Sequence, residues 1–468
     1  MRRILTTLAL VFFLLLTLFF IHRALPSRPP ISLNPHPSSS DLTTSLPLPA
    51  PNTTLPWTYI PSQHAHRLTL SRSQCLSSFP HLYNEIHRAA SHRRHNVITP
   101  SDLTTAWRGD GIVHALIHAQ QLYVLEARAV SDRNHRPRHL ATLHALHRAL
   151  SASTEDLPDI EFTITDHDSP DFGVVRGQEG HTTWAYSRLP DQENLWLVPD
   201  FGFWGWPDVN LRSYGEVRRR IGSTGLDDGG QGEGEVQWAE KEDKLVWRGS
   251  VNVGSRDVRT ALLEQSKGME WSSVFGMDWG NGTDVKSKLI GMEDHCRYKF
   301  VAQTEGNTYS ARLKYLLNCG SLVISHEARF LEHFTHLLRK EGSEQNYVQV
   351  KRDWRDLKGT MKWLLTEEGD ERAEEVARRS KEVFRDRYLS PAAEACYWRE
   401  LVRGWSEVQG FTPQFWEEVE VDEDGEKKKK KKKKTIRKPR GVPFESYAIM
   451  EAVDWTMPSK PRKICEYD

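Results

Sequence analysis

The chain has 468 residues, 38% of them hydrophobic, and is long enough for two domains because single hydrophobic cores stop growing at roughly 250–300 residues. Its 63 basic residues balance its 63 acidic residues, so the formal net charge is zero. The chain therefore has no net positive charge that would attract a nucleic acid or an acidic membrane surface, and a polyanionic partner is not expected.

An apolar segment that carries no charge occupies residues 4–21. Its length is close to the roughly 20 residues that a helix needs to cross the hydrocarbon core of a bilayer. Arg2 and Arg3 precede the segment and no small-x-small cleavage site follows it, which favours an uncleaved signal anchor over a removed signal peptide. Since no second apolar run follows, we expect a single-pass type II membrane protein with its remaining residues on the lumenal side.

Residues 24–62 follow the predicted anchor and are rich in Pro, Ser and Thr. This composition buries too little apolar area to offset the entropy of ordering, so we predict a flexible stalk. Two acceptor sequences for N-glycosylation, at Asn52 and Asn281, are compatible with a lumenal location.

The region between Leu68 and Leu150 is predicted to be helical, because its apolar residues recur at helical spacing. On such a helix His114 and His118 would share one face. Since no carboxylate motif completes a metal site, we interpret the two histidines as part of a polar face.

A strand is predicted at residues 159–165, which alternate between polar and apolar and run directly into Asp166-His167-Asp168. Acidic residues at the carboxyl end of a strand are well placed for chemistry in α/β folds. Three interpretations are open: the two carboxylates hold a divalent cation against a diphosphate, one of them deprotonates an acceptor hydroxyl, or both cap a turn.

Aromatic residues are frequent, with 16 tryptophans in the chain and an aromatic cluster at residues 201–207. Exposed aromatic faces are suitable platforms for sugar rings, although most tryptophans fill cores. Within this cluster we assign a sugar-stacking or acceptor-binding role to Phe203 and Trp204.

A glycine-rich segment at residues 222–236 lacks periodicity and is predicted to separate two domains. The residues beyond it alternate between strand and helix patterns, the order of βαβ units on a parallel sheet. We therefore expect an N-terminal domain at residues 63–235, a C-terminal domain at 236–405 and a tail at 406–468, in which Lys427–Lys434 is a solvated insertion.

Two segments of the second half have the features of anion-binding sites. Trp247-Arg248-Gly249-Ser250, followed by Gly254-Ser255-Arg256-Asp257, lies between a predicted strand and a predicted helix. In the other segment, Gly306 opens a helix whose first turn carries Ser310 and Arg312. Backbone N–H groups at a helix start and forked guanidinium groups both suit a diphosphate.

The most specific pattern consists of Asp294-His295-Cys296-Arg297-Tyr298-Lys299-Phe300, Ser310-Ala311-Arg312-Leu313-Lys314-Tyr315 and Cys319-Gly320-Ser321-Leu322-Val323. With these stretches, residues 159–398 resemble the capsule-associated and Rumi-like family of protein O-glucosyltransferases and xylosyltransferases, which share a CAP-type glycosyltransferase domain. The resemblance implies a GT-B fold, in which two Rossmann-like domains face a cleft and the C-terminal domain binds the donor. It also implies an inverting transfer of glucose or xylose from a UDP-sugar, with no required metal or other cofactor.

The resemblance places the family's functional residues on this chain. Asp168, two residues before a proline, takes the position of the catalytic base, with Asp166 as its neighbour. The positions that would bind the donor diphosphate fall on Arg248, Gly249, Ser250, Arg256, Gly306, Ser310 and Arg312. Three cations at these positions would offset the charge that grows on the leaving UDP.

Two disulfides are also implied by the resemblance, Cys296–Cys319 and Cys75–Cys396, which leaves Cys465 without a predicted partner. An oxidising lumen would let them form. Soluble lumenal members of the family end in an ER retrieval tetrapeptide, whereas this chain ends in Cys-Glu-Tyr-Asp and begins with a predicted anchor. We therefore place the protein in the Golgi membrane ahead of the ER membrane.

Two alternatives to this function stay open. One is a metal-dependent transferase in which Asp166 and Asp168 hold the cation. The other is a membrane-anchored, non-catalytic glycan-binding protein, against which the presence of Asp168 and the three arginines argues. The acceptor stays open between a protein domain, a polysaccharide and a lipid-linked glycan.

Overall fold

The computed structural model describes residues 57–105, 111–128, 135–168, 181–206, 211, 213–222, 235–422 and 433–452. The predicted anchor, most of the predicted stalk, Asn52 and Cys465 lie outside these residues. No helix in the described ranges is both long enough and apolar enough to span a bilayer.

Helices alternate with strands along most of the described chain. In chain order the α-helices are α1 (Pro61–His64), α2 (Arg72–Ser78), α3 (Asn84–Arg93), α4 (His135–Ser151), α5 (Tyr214–Ile221), α6 (Arg256–Ser266), α7 (Gly282–Lys288), α8 (Leu313–Leu316), α9 (Leu357–Leu364), α10 (Glu367–Val383), α11 (Pro391–Ser406) and α12 (Phe444–Ala452). Short 3₁₀ turns occur at Pro100–Leu103, Phe201–Phe203, Trp238–Glu240, Glu293–Arg297 and Thr335–Leu337, and a π turn at Phe384–Tyr388. The predicted α/β class is confirmed.

The first sheet is mixed. Its strands are β1 (Ile112–His118), β2 (Gln121–Arg128), β3 (Ile160–Thr165), β4 (Thr183–Ala185), β5 (Leu195–Leu197) and β13 (Val442–Pro443), in the spatial order β13-β2-β1-β3-β4-β5. The pairs from β13 to β3 are antiparallel, whereas β3, β4 and β5 pair in parallel. The strand predicted at residues 159–165 is confirmed as β3.

The hairpin of β1 and β2 shows that the helix predicted there was wrong. Ala119 and Gln120 form its two-residue turn with φ values of 48° and 62°, the left-handed conformation that matches the twist of paired strands. The turn lacks the usual Asn or Gly. In addition, buried residues occupy most positions of β1, which hides the two-residue period of a strand.

His114 and His118 therefore lie on a strand and not on a helix. His114 Nε2 is 2.9 Å from Glu161 Oε1, and His118 Nδ1 is 2.5 Å from Asp159 Oδ2. Each imidazole has a different carboxylate partner, and neither belongs to the group of described residues able to hold a metal ion, so the two histidines do not form a shared metal site in the described part of the chain.

The second sheet is fully parallel. Its strands are β6 (Glu242–Gly249), β7 (Ser272–Gly276), β8 (Tyr298–Gln303), β9 (Leu322–His326) and β10 (Val348–Val350), in the spatial order β10-β9-β8-β6-β7. This arrangement confirms the βαβ units predicted for the second half. The strand order reverses between β6 and β8, and in open α/β sheets the crevice outside the carboxyl ends at such a point is the usual ligand site.

A separate antiparallel hairpin, β11 (Trp416–Asp422) and β12 (Lys433–Pro439), follows in the chain. Most of the predicted insertion Lys427–Lys434 lies outside the described residues, and its last two lysines begin β12.

Helix α11 connects the two sheets. It follows the second sheet in the sequence but packs against α3 and α4 beside the first sheet, with Trp398 and Trp405 fully buried. One hydrophobic core contains residues of both sheets, such as Ile164 and Val323, and a second core covers the other face of the second sheet. The domain boundaries at residues 235 and 405 stay predictions.

Both disulfides that the resemblance implied are confirmed. Cys75 is bonded to Cys396 and Cys296 to Cys319, with Cα–Cα distances of 5.6 and 4.7 Å. The first joins α2 to α11, and the second joins the 3₁₀ turn before β8 to the segment between α8 and β9. Asn281 is exposed and caps α7, and its glycosylation stays a prediction.

Candidate active site

A cavity of about 740 Å³ lies at the carboxyl ends of β6 and β8. Its lining from the second half of the chain includes Arg248, Gly249, Ser250, Arg259, Gly306, Asn307, Ser310 and Arg312. Its lining from the first half includes Arg138, Asp168, Phe201, Trp206 and Leu211. The structure thus brings the predicted base and most of the predicted donor-binding residues into one site.

Asp168 reaches the cavity because it follows the carboxyl end of β3, and its side chain is 32% exposed. Arg138 Nη1 on α4 donates to Asp168 Oδ1 at 2.8 Å. From the second half, Asn307 Nδ2 donates to Asp168 Oδ2 at 3.3 Å. The carboxylate is therefore held from both halves of the chain and still faces the cavity.

Asp166 does not share this position. Its side chain is 2% exposed, its Oδ1 lies 2.5 Å from His135 Nδ1, and it does not line the cavity. In the described part of the chain, His135, Asp166 and His167 form the group able to hold a metal ion, with one ligand atom from each residue within 4.8 Å of the others. Asp168 is not part of that group, so the predicted pair of Asp166 and Asp168 is not assembled at the cavity.

Arg312 and Arg259 bring two positive charges to one buried ring. Their guanidinium groups lie 6.0 and 5.7 Å from the centroid of the Trp247 ring, which is fully buried. Burial lowers the pKa of Arg312 to about 10, and burial with the charge of Arg312 lowers the pKa of Arg259 to about 9. Among the described residues no carboxylate offsets either charge, an arrangement that is costly without a bound anion.

Arg248 also lines the cavity, but its N–H groups are bonded to the protein. Its Nε donates to Lys288 O at 2.9 Å, its Nη1 to the carbonyl oxygens of Trp247 and Ser273, and its Nη2 to Ser273 Oγ at 3.1 Å. Arg248 thus fixes the end of β6 against neighbouring segments, and fewer of its donors face a ligand than the sequence suggested.

Arg256 is exposed at the start of α6 and is absent from the cavity lining. Arg259, which we did not predict, lies one turn further along α6 and donates to Glu305 O at 2.8 Å and to Ser250 O at 2.6 Å. The helical spacing of apolar residues could have identified Arg259, because it lies on the same face of α6 as the buried Val258 and Leu262.

The remaining predicted donor residues, Gly249, Ser250, Gly306 and Ser310, all line the cavity. Gly249 has a steric reason for its identity, because a Cβ there would approach the Trp247 ring to 2.6 Å.

The two predicted stacking residues do not line the cavity. Phe203 is buried against Tyr214 and His333, and Trp204 stacks on His144 with ring centroids 5.0 Å apart. Their neighbours in the same aromatic cluster, Phe201 and Trp206, line it instead. The sequence identified the cluster but not the direction in which each ring points.

The sequence profile of glycosyl transferase family 90 matches residues 72–442. The chain belongs to this family. It is therefore a glycosyltransferase, and the resemblance drawn from the sequence is confirmed. The mixed α/β structure with its parallel sheet fits a Rossmann-like glycosyltransferase.

Several named O-glucosyltransferases are similar to this chain. Mus musculus protein O-glucosyltransferase 3 is 27% identical over 194 residues, which cover 41% of this chain and 37% of the relative. The O-glucosyltransferase rumi of Drosophila pseudoobscura pseudoobscura is 23% identical over 330 residues, or 68% of this chain and 78% of the relative. Homo sapiens protein O-glucosyltransferase 1 is 25% identical over 268 residues, which cover 54% of this chain and 64% of the relative.

Proposed function

We propose that this glycosyltransferase moves a sugar from a UDP-sugar to an acceptor hydroxyl on a protein or glycan, with inversion and without a metal ion. One observation carries the proposal: two guanidinium groups that no described carboxylate offsets and the carboxylate of Asp168 line the same cavity. The cations suit a diphosphate, and the carboxylate suits removal of a proton from a hydroxyl. The names of the similar proteins favour glucose as the sugar, and xylose is the second candidate.

The proposed step is a single displacement. Asp168 accepts the proton of the acceptor hydroxyl while that oxygen forms a bond to the anomeric carbon. The bond between the anomeric carbon and the β-phosphate oxygen breaks, and its electron pair leaves with UDP. Attack from the face opposite the leaving group inverts the configuration at the anomeric carbon.

Arg312 and Arg259 would stabilise the negative charge that develops on the leaving diphosphate. Both already lie in a buried site, so they need little reorganisation when the charge forms. Arg138 would hold Asp168 in place through the 2.8 Å ion pair. Trp206, which is half-buried, offers an aromatic face to the cavity, whereas the ring of Phe201 is buried with Arg138 lying over it.

We also propose a GT-B arrangement, which the fully parallel second sheet and a cavity lined from both halves support. A membrane anchor at residues 4–21 and a lumenal location in the Golgi or ER belong to the same proposal. The uncharged apolar segment and the two disulfides support them, because disulfides persist in oxidising compartments.

The test is UDP release by the full-length protein from UDP-glucose and UDP-xylose, compared with an Asp168→Asn variant. We expect the substitution to lower turnover by about 100-fold or more, because general base catalysis contributes that much, and to leave UDP affinity within about threefold. Asp278→Asn, the same substitution at an exposed position of the cavity rim, serves as the control. Normal turnover by Asp168→Asn would contradict the mechanism.

Excess EDTA distinguishes the two enzymatic alternatives. Full turnover in EDTA agrees with a metal-independent transfer, whereas loss of turnover that Mn²⁺ restores would support the metal-dependent alternative. Failure to bind any UDP-sugar would support the non-catalytic alternative.

A further inference from the structure

Asn307 lies between Asp168, the proposed base, and the loop at residues 250–255, which lines the proposed diphosphate site. Its Oδ1 accepts a hydrogen bond from the Gly254 N–H at 2.9 Å, and its Nδ2 donates to Asp168 Oδ2 at 3.3 Å. A backbone N–H can only donate, so it fixes which end of the amide is the carbonyl oxygen. The NH₂ end must therefore face Asp168.

Through Gly254, Asn307 contacts the loop between β6 and α6. The Ser255 N–H of that loop donates to Gly306 O at 2.9 Å, which makes a second contact between the same two segments. A Cβ at Gly254 would lie 2.9 Å from Asn307 O and 3.1 Å from Asn307 Cα, so the two backbones approach this closely only with glycine. Both segments line the cavity at the position proposed for the diphosphate.

On the other side, Asn307 completes the contacts that hold Asp168. Arg138 bonds one carboxylate oxygen and Asn307 the other. The hydroxyl of Thr308, the next residue, donates to the backbone carbonyl of Asp168. A carboxylate oxygen has more than one acceptor site, so these contacts orient Asp168 and still leave it able to accept a proton.

We propose that Asn307 is a positioning residue that orients the carboxylate of Asp168 and joins it to the loop at residues 250–255. The base then has its working orientation only when this loop is in place, so binding of the donor diphosphate and activation of the acceptor hydroxyl are coupled. The inference rests on the proposed function. Asn307 itself does not need to touch the reacting atoms.

The experiment compares Asn307→Ala and Asn307→Asp with the unchanged full-length protein, using UDP release from UDP-glucose and UDP-xylose. For Asn307→Ala we expect kcat to fall about 10- to 100-fold while KM for the donor changes less than about threefold, because a hydrogen bond to a charged group is lost. A general destabilisation of the cavity would raise KM as well. Thermal unfolding of each variant shows whether it is folded.

Asn307→Asp provides a second readout, the pH profile of kcat. A second carboxylate beside Asp168 favours the protonated form of the pair, so the acidic limb should move to higher pH by about one unit. Arg138, Tyr309 and His167 stay the same in all variants, so the difference between profiles reports the change at residue 307. Asn96→Asp adds the same charge at an exposed position outside the cavity lining and should not move this limb.

Asp168→Asn, measured in parallel, distinguishes failure of the proposed function from failure of the positioning role of Asn307. If it retains normal turnover, the proposed function fails. If it loses turnover while a folded Asn307→Ala keeps the kcat and the pH profile of the unchanged protein, the positioning role alone is overturned.

Discussion

At the scale of single residues, Arg312 and Arg259 are two buried charges that no carboxylate among the described residues offsets. Both guanidinium groups lie over the ring of Trp247, and burial lowers the pKa of each, to about 10 and about 9. Both stay cationic near neutral pH. An anionic ligand would offset the desolvation that their burial costs.

Arg312→Gln should therefore weaken UDP binding. Loss of a hydrogen bond to a charged group is worth about 1.5–3 kcal/mol, which corresponds to an increase in Kd of roughly 10- to 100-fold. Isothermal titration of UDP measures it. Arg256→Gln is the matched control, because Arg256 is exposed outside the cavity and its loss should change Kd less than about threefold. A larger effect at Arg256 than at Arg312 would favour the diphosphate-binding role that the sequence gave to Arg256.

Lys314 and Asp200 form a buried ion pair whose side chains are 0% and 3% exposed. Lys314 Nζ is 2.8 and 2.9 Å from the two carboxylate oxygens and also donates to Ala311 O. The pair ties the first turn of α8 to the 3₁₀ turn at Phe201–Phe203, which borders the cavity.

Lys314→Met should lower the free energy of unfolding by about 3–5 kcal/mol, because it leaves a buried carboxylate without its partner. Urea unfolding at neutral pH measures this loss. The double variant Lys314→Met with Asp200→Asn should recover part of it. If the double variant is as unstable as the sum of both single variants, the two charges are not coupled.

At the scale of secondary-structure elements, Glu161 links β3 to the segment that precedes β13. Arg440 contacts both oxygens of Glu161, at 2.9 and 3.0 Å, and His114 of β1 lies 2.9 Å away. Burial raises the pKa of Glu161, but hydrogen bonds from His114 and Arg440 outweigh it and lower the pKa to about 2.

This pKa predicts a pH dependence of stability. A carboxyl group whose pKa is lower in the folded state stabilises the fold above its unfolded value of about 4.5, and that contribution is lost as the pH falls towards 2. Glu161→Gln should lower the free energy of unfolding by about 2–3 kcal/mol at pH 7 and should flatten its decrease between pH 4.5 and 2. Urea unfolding across this range is the measurement.

Glu418→Gln on β11 is the matched control for Glu161→Gln, because Glu418 is exposed. Its pH dependence should stay that of the unchanged protein. Equal pH profiles for both variants would contradict the role of Glu161.

At the scale of the whole molecule, the disulfide between Cys75 and Cys396 closes a loop with a sequence separation of 321, whereas that between Cys296 and Cys319 spans 23. Because a crosslink restricts the unfolded chain more when its loop is longer, the first should stabilise the fold more. Replacing Cys75 and Cys396 together by Ala should lower the free energy of unfolding by about 2–5 kcal/mol.

Urea unfolding of this variant and of the Cys296→Ala, Cys319→Ala variant measures both contributions. A greater loss from the shorter loop would show that local packing around Cys296 and Cys319 outweighs chain entropy.

By itself, the sequence determined the features that depend on short stretches of chain. The alternation of strand and helix patterns predicted the parallel second sheet, and Asp168 was placed at the end of β3 because acidic residues directly follow that strand. The hairpin of β1 and β2 was not predicted, since its turn at Ala119 and Gln120 contains neither the Asn nor the Gly that is typical of hairpin turns. The disulfide partners came from the resemblance and not from spacing.

Only the tertiary structure decided which side chains face the cavity. Arg248 is bonded to oxygens of Lys288 and Ser273, which lie 40 and 25 positions further along the chain, and no local pattern reports such contacts. Arg259 takes the place at the cavity that the sequence had given to Arg256, because the orientation of α6 against β6 sets which turn points inward. Local spacing predicts β3 and the strands and helices of the second sheet, but the direction of each charged group depends on how distant segments pack against one another.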